Sequence, residues 1–274
     1  MQSLNAAASF QVYRERRGAK SSEGIRAKLA GNGYGEAAKK VTMGNYKHKS
    51  AVRTAFMLLI ALGLIPLLPM LISGRWNWWE AWVLAALLIL TFMISRALAA
   101  RKTPDILRER ADYTEHEDTQ PWDKWLSPTT AFGTAFILLT AGLDALFAWS
   151  KAFALGWELF GLALIVLGCL LGSYALIENA YFSGTVRIQA ERGHSVVSGG
   201  PYAWVRHPGY TGSLLVNLGI PLLLDSAWAF VPAVILGALL VLRASLEDRF
   251  LLGSLPGYQQ YAAKVRFRLL PGVW

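Results

Sequence analysis

The sequence predicts an all-α fold: a polytopic transmembrane helical bundle with about six crossings, counting a C-terminal helical hairpin as two. Three observations carry this expectation. Of 274 residues, 54% are hydrophobic, and mean hydropathy is +0.35, above the range of soluble domains. Charged residues make up only 16% and are clustered between long apolar runs rather than spread along them. The basic residues are also one-sided. With the N-terminus inside and six crossings, only Arg75 and Lys151 fall outside, the asymmetry that the positive-inside rule describes.

Residues 1–50 carry many small and basic residues and no apolar run long enough to span. They are expected to form a poorly ordered basic cytoplasmic arm, with Met43 a plausible alternative start. Residues 51–177 are expected to form a four-helix transmembrane scaffold. Its first span runs from about Ala51 to Ser73, kinked by Pro66 and Pro69. Gly74 and Arg75 turn the chain, and Trp76, Trp78, Trp79 and Trp82 follow as an interfacial aromatic belt would. The second span continues to about Ala100. A polar stretch, 101–126, comes next. Thr103-Pro104 reads as a helix start, and Glu115, His116, Glu117 and Asp118 read as a solvated acidic loop rather than a metal site. The third span runs from about Ser127 to Trp149 and the fourth from about Phe153 to Ile177.

Residues 178–274 form the third region. A polar loop, 178–209, leads into two apolar segments, about 211–224 and 227–246, with Asp225-Ser226 between them. The first is short for a span, so the two read as a tight hairpin. The tail 247–274 is polar and aromatic. This topology puts both termini, the loop and the tail on the cytoplasmic side of a multi-pass membrane protein, in a bacterial inner membrane rather than the endoplasmic reticulum.

Several functions lose their footing here. The formal charge of +9 is accounted for by basic inner loops, so no nucleic-acid partner is expected. Cys169 is the single cysteine, which excludes an intrachain disulfide and a cysteine metal cluster; no metal site is expected. No Gly-x-Gly-x-x-Gly follows a strand, and no nucleophile elbow appears. The candidate chemistry gathers on the inner face instead. It comprises Glu178-Asn179, Gln189, the stretch His194 to Tyr210, and Arg243 with Glu247 and Asp248. Arg243 and Glu247 are four apart and share a helix face, so a plain salt bridge is one reading. The other is functional, because an ionisable group still inside an apolar run marks a site by default.

The strings His194-Ser-Val-Val, Gly200-Pro-Tyr202, Arg206-His207-Pro-Gly-Tyr210, Arg243-x-x-x-Glu247-Asp248, Pro256-Gly-Tyr-x-x-Tyr261 and the tail from Arg266 to Trp274 closely resemble the isoprenylcysteine carboxyl methyltransferase family. These are integral membrane enzymes that use S-adenosylmethionine. The resemblance is specific over roughly residues 174–274, weaker over 51–173, and absent over 1–50. It implies that 178–274 is the catalytic region and holds a cytoplasmic cofactor site. By matching motifs, the cofactor-binding residues are Gln189, His194, Ser195, Val196, Val197, Tyr202, His207, Pro208, Gly209, Tyr210 and Glu247. Arg243 matches the arginine that orients the substrate. The implied acceptor is lipid-like or prenylated, presented from among membrane lipids.

The residue chemistry agrees with that implication. Aromatic faces such as Tyr202 and Tyr210 attract a sulfonium. Glu247 can pair an ammonium or hold ribose hydroxyls. Backbone amides of 195–197 can bond an adenine edge or a carboxylate. A carboxylate nucleophile needs no general base, so positioning and exclusion of water do most of the work. Phospholipid or other amine N-methylation is the alternative, and it would call for a base such as Asp248 or Glu178. A nicotinamide-dependent membrane reductase is a more distant one. A transporter or membrane scaffold is the non-enzyme alternative, disfavoured because the polar groups lie on one face rather than at the midplane.

Overall fold

The computed structural model describes residues 58–111 and 116–274 of the protein. The described residues form helices and no strand. The chain runs through α1 (Leu59–Ser73), α2 (Trp79–Lys102), α3 (Ile106–Ala111), α4 (Asp123–Phe147), α5 (Leu155–Glu178), α6 (Pro208–Leu223), α7 (Phe230–Ser254) and α8 (Tyr258–Lys264). Two short 3-10 turns, Ala190–Arg192 and Gly200–Ala203, shape the loop between α5 and α6. The expected arm, 1–50, lies outside the described residues, as does the first part of the expected first span.

The helix boundaries follow local chemistry. In α1, Pro66 and Pro69 remove backbone donors, and the helix adapts as a π segment, Leu59–Leu64, then a 3-10 turn, Ile65–Leu67, before regular α geometry at Leu68. Gly74 ends it with φ 69°, the left-handed cap that glycine adopts without strain. α4 begins at Asp123, four residues before the expected span, because an acidic residue in the first turn complements the helix dipole. α6 begins at Pro208, whose fixed φ suits the first helical position. α7 continues past the expected end at 246 to Ser254, so Arg243, Glu247 and Asp248 all lie on one continuous helix.

Among the described residues, four helices are long and apolar enough to cross a membrane: α2, α4, α5 and α7. α1 is a shorter apolar helix, and α6 has 16 residues. Leu90, Met93, Ile94, Phe136, Leu167, Leu170, Val234 and Ile235 face outward, the apolar exterior expected of a helix bundle in lipid. The interior is packed by Met70, Leu84, Ile137, Leu138, Ile165, Ile220 and Leu223.

α5 and α6 make the closest helix pair, and they run antiparallel. A Cβ placed on Gly161 would lie 2.7 Å from the Gly219 carbonyl oxygen, and one on Gly168 would lie 2.5 Å from that of Gly212. Glycines seven apart on each helix therefore let the two backbones touch. This contact brings the loop 179–207 back over the end of the bundle. At the other end, Trp149 and Trp228 lie 6.2 Å apart, and Asp144 accepts hydrogen bonds from Ser150 and Ser226 at 2.7 and 2.6 Å.

Candidate functional site

The loop 179–207 is built around buried polar side chains. Gln189 is 1% exposed. Its Nε2 donates to the Tyr181 carbonyl at 2.8 Å, its Oε1 accepts from Arg192, and its backbone N–H donates to His194 Nδ1 at 3.3 Å. His194 in turn stacks on Tyr181, with ring centroids 4.5 Å apart, while the Tyr181 hydroxyl lies 3.4 Å from that of Ser195. Burial, reinforced by the Arg187 and Arg192 cations, pushes the His194 pKa down to about 4, so its ring is neutral at pH 7. Gln189, His194 and Ser195 thus form one contact group, in which Gln189 organises the loop.

Arg187 holds this loop to α3. Its guanidinium donates to Glu109 at 2.9 and 3.2 Å, to Asp118 at 3.0 Å and to Glu191 at 2.5 Å. Burial opposes the Glu109 charge, but hydrogen bonds from Arg187 and Ser183 outweigh it and hold the Glu109 pKa low. The acidic stretch expected to be a solvated loop is therefore partly committed. Asp118 joins this network, His116 sits 3.2 Å from Glu109, and Glu115 lies outside the described residues.

Val196 and Val197 pack against a cluster of Tyr202, Tyr258 and Tyr261, together with Leu251. Tyr202 is buried; its hydroxyl accepts from Asn179 at 3.2 Å, and its carbonyl accepts from Tyr261 at 2.7 Å. Burial raises the pKa of its phenol, which stays protonated. Among the described residues, the backbone N–H groups of Ser195, Val196 and Val197 donate to no protein acceptor, although Val196 and Val197 are half-buried. Donors in that setting are open to water or to the acceptor atoms of a ligand.

The second contact group lies on α6 and α7. Tyr210 donates through its hydroxyl to Glu247 Oε2 at 2.6 Å, and the Arg243 guanidinium lies 5.6 Å from the centre of the Tyr210 ring. Glu247 is half-buried, and among the described residues its other oxygen accepts no hydrogen bond. Glu247 and Leu251 are four apart, so the carboxylate shares a face of α7 with a residue that packs against the same aromatic cluster as Val196 and Val197. Pro208 and Gly209 open α6, and a Cβ on Gly209 would lie 2.8 Å from the Phe182 ring, so only glycine allows that approach.

Arg243 does not pair with Glu247. It makes a bidentate contact with Asp123, Nε to Oδ1 at 2.7 Å and Nη2 to Oδ2 at 3.0 Å, and donates further to Thr130 at 3.1 Å and to the Gly184 carbonyl at 2.8 Å. Asp123 is fully buried. The simple salt bridge along one helix face is thus replaced by one that ties α7 to the start of α4 and to the loop.

Asp248 is the second buried carboxylate, 0% exposed. It accepts from Arg206 Nε and Nη2 at 2.7 and 2.8 Å, from Arg268 Nε at 2.9 Å and from the Tyr258 hydroxyl at 2.9 Å, with His207 Nε2 at 3.4 Å. His207 is therefore directed at Asp248. Arg206 also donates to the carbonyls of Ala262, Val265 and Arg266. Backbone bonds from Arg206 to Phe267 and from His207 to Arg268, at 3.0 and 2.9 Å, seat the tail against the loop. Sequence reasoning gave no role to Asp123 and Arg187, and it had Arg206 and Arg268 within the matched strings without assigning either a partner. Arg206 carried a signal in its place beside His207; Asp123 carried none beyond its position before an apolar run.

Comparison with known proteins adds a family. Residues 161–252 match the model of the Isoprenylcysteine carboxyl methyltransferase (ICMT) family. The chain is 34% identical over 96 residues to protein-S-isoprenylcysteine O-methyltransferase B of Arabidopsis thaliana, a match covering 34% of this chain and 48% of the relative. It is 30% identical over 112 residues to protein-S-isoprenylcysteine O-methyltransferase of Schizosaccharomyces pombe, covering 40% and 48%. The match spans about half the length of these curated relatives. The matched segment contains α6, the loop, and both α7 carboxylates.

Proposed function

We propose, from the match of residues 161–252 to the isoprenylcysteine carboxyl methyltransferase family model, that the protein transfers a methyl group from S-adenosylmethionine to the carboxylate of a lipid-like acceptor at the membrane, an isoprenylcysteine or a close analogue. The observation that carries this reading is the shared face of α7. Glu247, held by Tyr210, keeps one oxygen open there, and Leu251 one turn on packs against the same aromatic cluster as Val196 and Val197, whose amides are uncommitted. A free donor strip together with a half-open carboxylate suits a ligand that is itself zwitterionic.

When bound, S-adenosylmethionine supplies a methyl group on a positively charged sulfur, open to in-line displacement. The amides of Ser195, Val196 and Val197 would bind its adenine edge or carboxylate. Glu247, held in place by Tyr210, would take the ammonium or the ribose hydroxyls. Tyr202 and Tyr210 would supply aromatic faces, with His207, Pro208 and Gly209 shaping the turn between them. Gln189 and His194 would hold the strip in register. His194 is neutral and adds no charge to repel a sulfonium.

An acceptor carboxylate would take that methyl group directly, with the electron pair of the carbon–sulfur bond staying on sulfur. No proton moves, so no general base is needed. Arg243 would orient the nucleophile. Four of its roughly five N–H donors are committed to Asp123, Thr130 and Gly184, so its contribution is one donor and a fixed positive charge. The amine alternative is not favoured. Asp248 is enclosed by Arg206, Arg268 and Tyr258, and Glu178 is paired to Lys102 at 2.7 Å, so both candidate bases are already engaged by cations.

We further infer that α1 and α6 complete the crossings to six, that the loop face and both termini are cytoplasmic, and that residues 1–50 are dispensable. Four long apolar helices already make this a multi-pass membrane protein. Binding of radiolabelled S-adenosylmethionine to detergent-purified protein, followed by label transfer to a prenylcysteine analogue, tests the proposal. Absence of cofactor binding by folded protein overturns it.

A further inference from the structure

A cavity of about 290 Å³ lies between α2, α5 and α6, with Thr134 of α4 and Phe182 of the loop in its wall. It reaches Gly209, next to the Tyr210 that holds Glu247, so it adjoins the proposed cofactor face. Much of its lining is apolar or backbone: Leu88, Phe92, Gly172, Leu176 and Val216. Two guanidinium groups, Arg96 of α2 and Arg110 of α3, share that lining.

Neither arginine pairs with a carboxylate among the described residues. Arg96 donates once, to the Phe92 carbonyl of its own helix at 3.5 Å, and lies over the Phe92 ring. Arg110 donates only through Nη1, to the carbonyls of Phe182 and Ser183 at 3.3 and 3.4 Å. Most of their donors are therefore open. The contrast with Arg187, Arg206 and Arg243 is informative, because each of those is matched by a buried or near-buried carboxylate. Arg96 also sits roughly 9 Å inside the end of α2, a depth at which an unpaired cation calls for an anionic partner. Burial and the nearby Arg243 charge push the Arg110 pKa down to about 10, the direction an added anion would reverse.

We propose that this cavity receives the anionic end of the acceptor, with Arg96 and Arg110 holding the carboxylate while its hydrocarbon chain lies against the apolar wall. The proposal rests on the methyl-transfer reading and deepens it. Arg243 has one donor left, and Arg96 and Arg110 supply the remaining fork. The same pair would release the product, because methylation removes the charge that the two guanidiniums recognise. An anionic headgroup on an apolar chain is the shared chemistry. A phospholipid carries it too, so the test must separate the two sources.

Binding of a fluorescent S-farnesylcysteine analogue and of its methyl ester is measured for wild-type protein, Arg96→Gln, Arg110→Gln and Arg110→Lys. S-adenosylmethionine affinity, measured on each, reports folding. The expected result is a loss of acid binding of about tenfold or more in each Gln variant, unchanged ester binding, unchanged cofactor affinity, and partial recovery in Arg110→Lys. Acid and ester falling together, or neither falling, overturns the site while wild-type methyl transfer still stands. If phosphatidylglycerol in nanodiscs displaces nothing but binds in an arginine-dependent way, the cavity is a lipid headgroup site and the acceptor assignment is overturned. Wild-type protein that binds S-adenosylmethionine yet never methylates the analogue identifies the acceptor class as the failure, and this proposal falls with it.

Discussion

Replacing Asp248 by Asn is the most informative single change. The carboxylate is fully buried and holds two arginines and one tyrosine hydroxyl, at 2.7–2.9 Å. Asparagine keeps the shape but removes the charge. Arg206, whose side chain is 7% exposed, then loses its only carboxylate among the described residues. Arg268 is 33% exposed and can turn to water, so its share is smaller. Stranding one buried partner of such a pair costs about 3–5 kcal/mol. The loss concentrates on the tail, because Arg206 and Arg268 together seat residues 262–268. The assay is thermal unfolding in detergent combined with limited trypsin digestion. Asp248→Asn should unfold at a clearly lower temperature, and cleavage at Arg266 and Arg268 should precede cleavage elsewhere. A variant within about 0.5 kcal/mol of wild type, with its tail still protected, would show that the cluster holds nothing together.

Other outcomes follow from the same geometry. Glu247→Ala should weaken S-adenosylmethionine binding about tenfold or more, with little effect on stability, because its charge is half-exposed and bonded only to Tyr210; isothermal titration beside a melting curve separates the two effects. Arg243→Ala should abolish turnover and also destabilise by about 3–5 kcal/mol, since it strands Asp123. The double variant Arg243→Ala with Asp123→Asn should regain part of that stability but no activity, and simple additivity of the two losses would contradict the pairing. Gly168→Ala should cost about 1–3 kcal/mol by forcing α5 off α6, whereas Gly172→Ala, which meets nothing within 4 Å, should be nearly neutral. His194 is held at about 4 against 6.5 in the unfolded chain, so its contribution is fully present above pH 6.5 and lost as pH falls toward 4. Partial exposure limits it to roughly 1–2 kcal/mol, and His194→Gln should flatten that part of the stability profile; an unchanged acid limb would count against it.

The helices were legible because long apolar runs and their punctuation are local properties. Gly74 marked a boundary that needs only a few neighbouring residues to act, whereas Pro208, read as part of the loop, opens α6. The motif strings stood out as well, and the structure brings Tyr210 of one to Glu247 of another. What sequence did not reveal was the partner of each buried charge. Arg243 had an obvious candidate one turn away in Glu247, yet it binds Asp123, 120 residues earlier. Periodicity carries no information over that distance. The same holds for Arg206 and Asp248, separated by 42 residues. Asp248 looked like a possible base until its ligands were seen. Arg96 and Arg110 resembled ordinary basic residues at a membrane edge, and only the cavity between helices distinguishes them.

The bond from Asp123 to Arg243 also fixes an order of events during synthesis. At roughly 5–20 residues per second, Arg243 is made on the order of 6–24 s after Asp123. Through that interval the carboxylate stands at the first residue of α4, where interfacial water can solvate it. α5 and α6 can meet meanwhile, since their glycine contact needs no charge. Only the arrival of α7 takes both ions out of water together. This ion pair can therefore form only after α7 is made, and a chain weakened there is expected to leave α7 less firmly tied to α4.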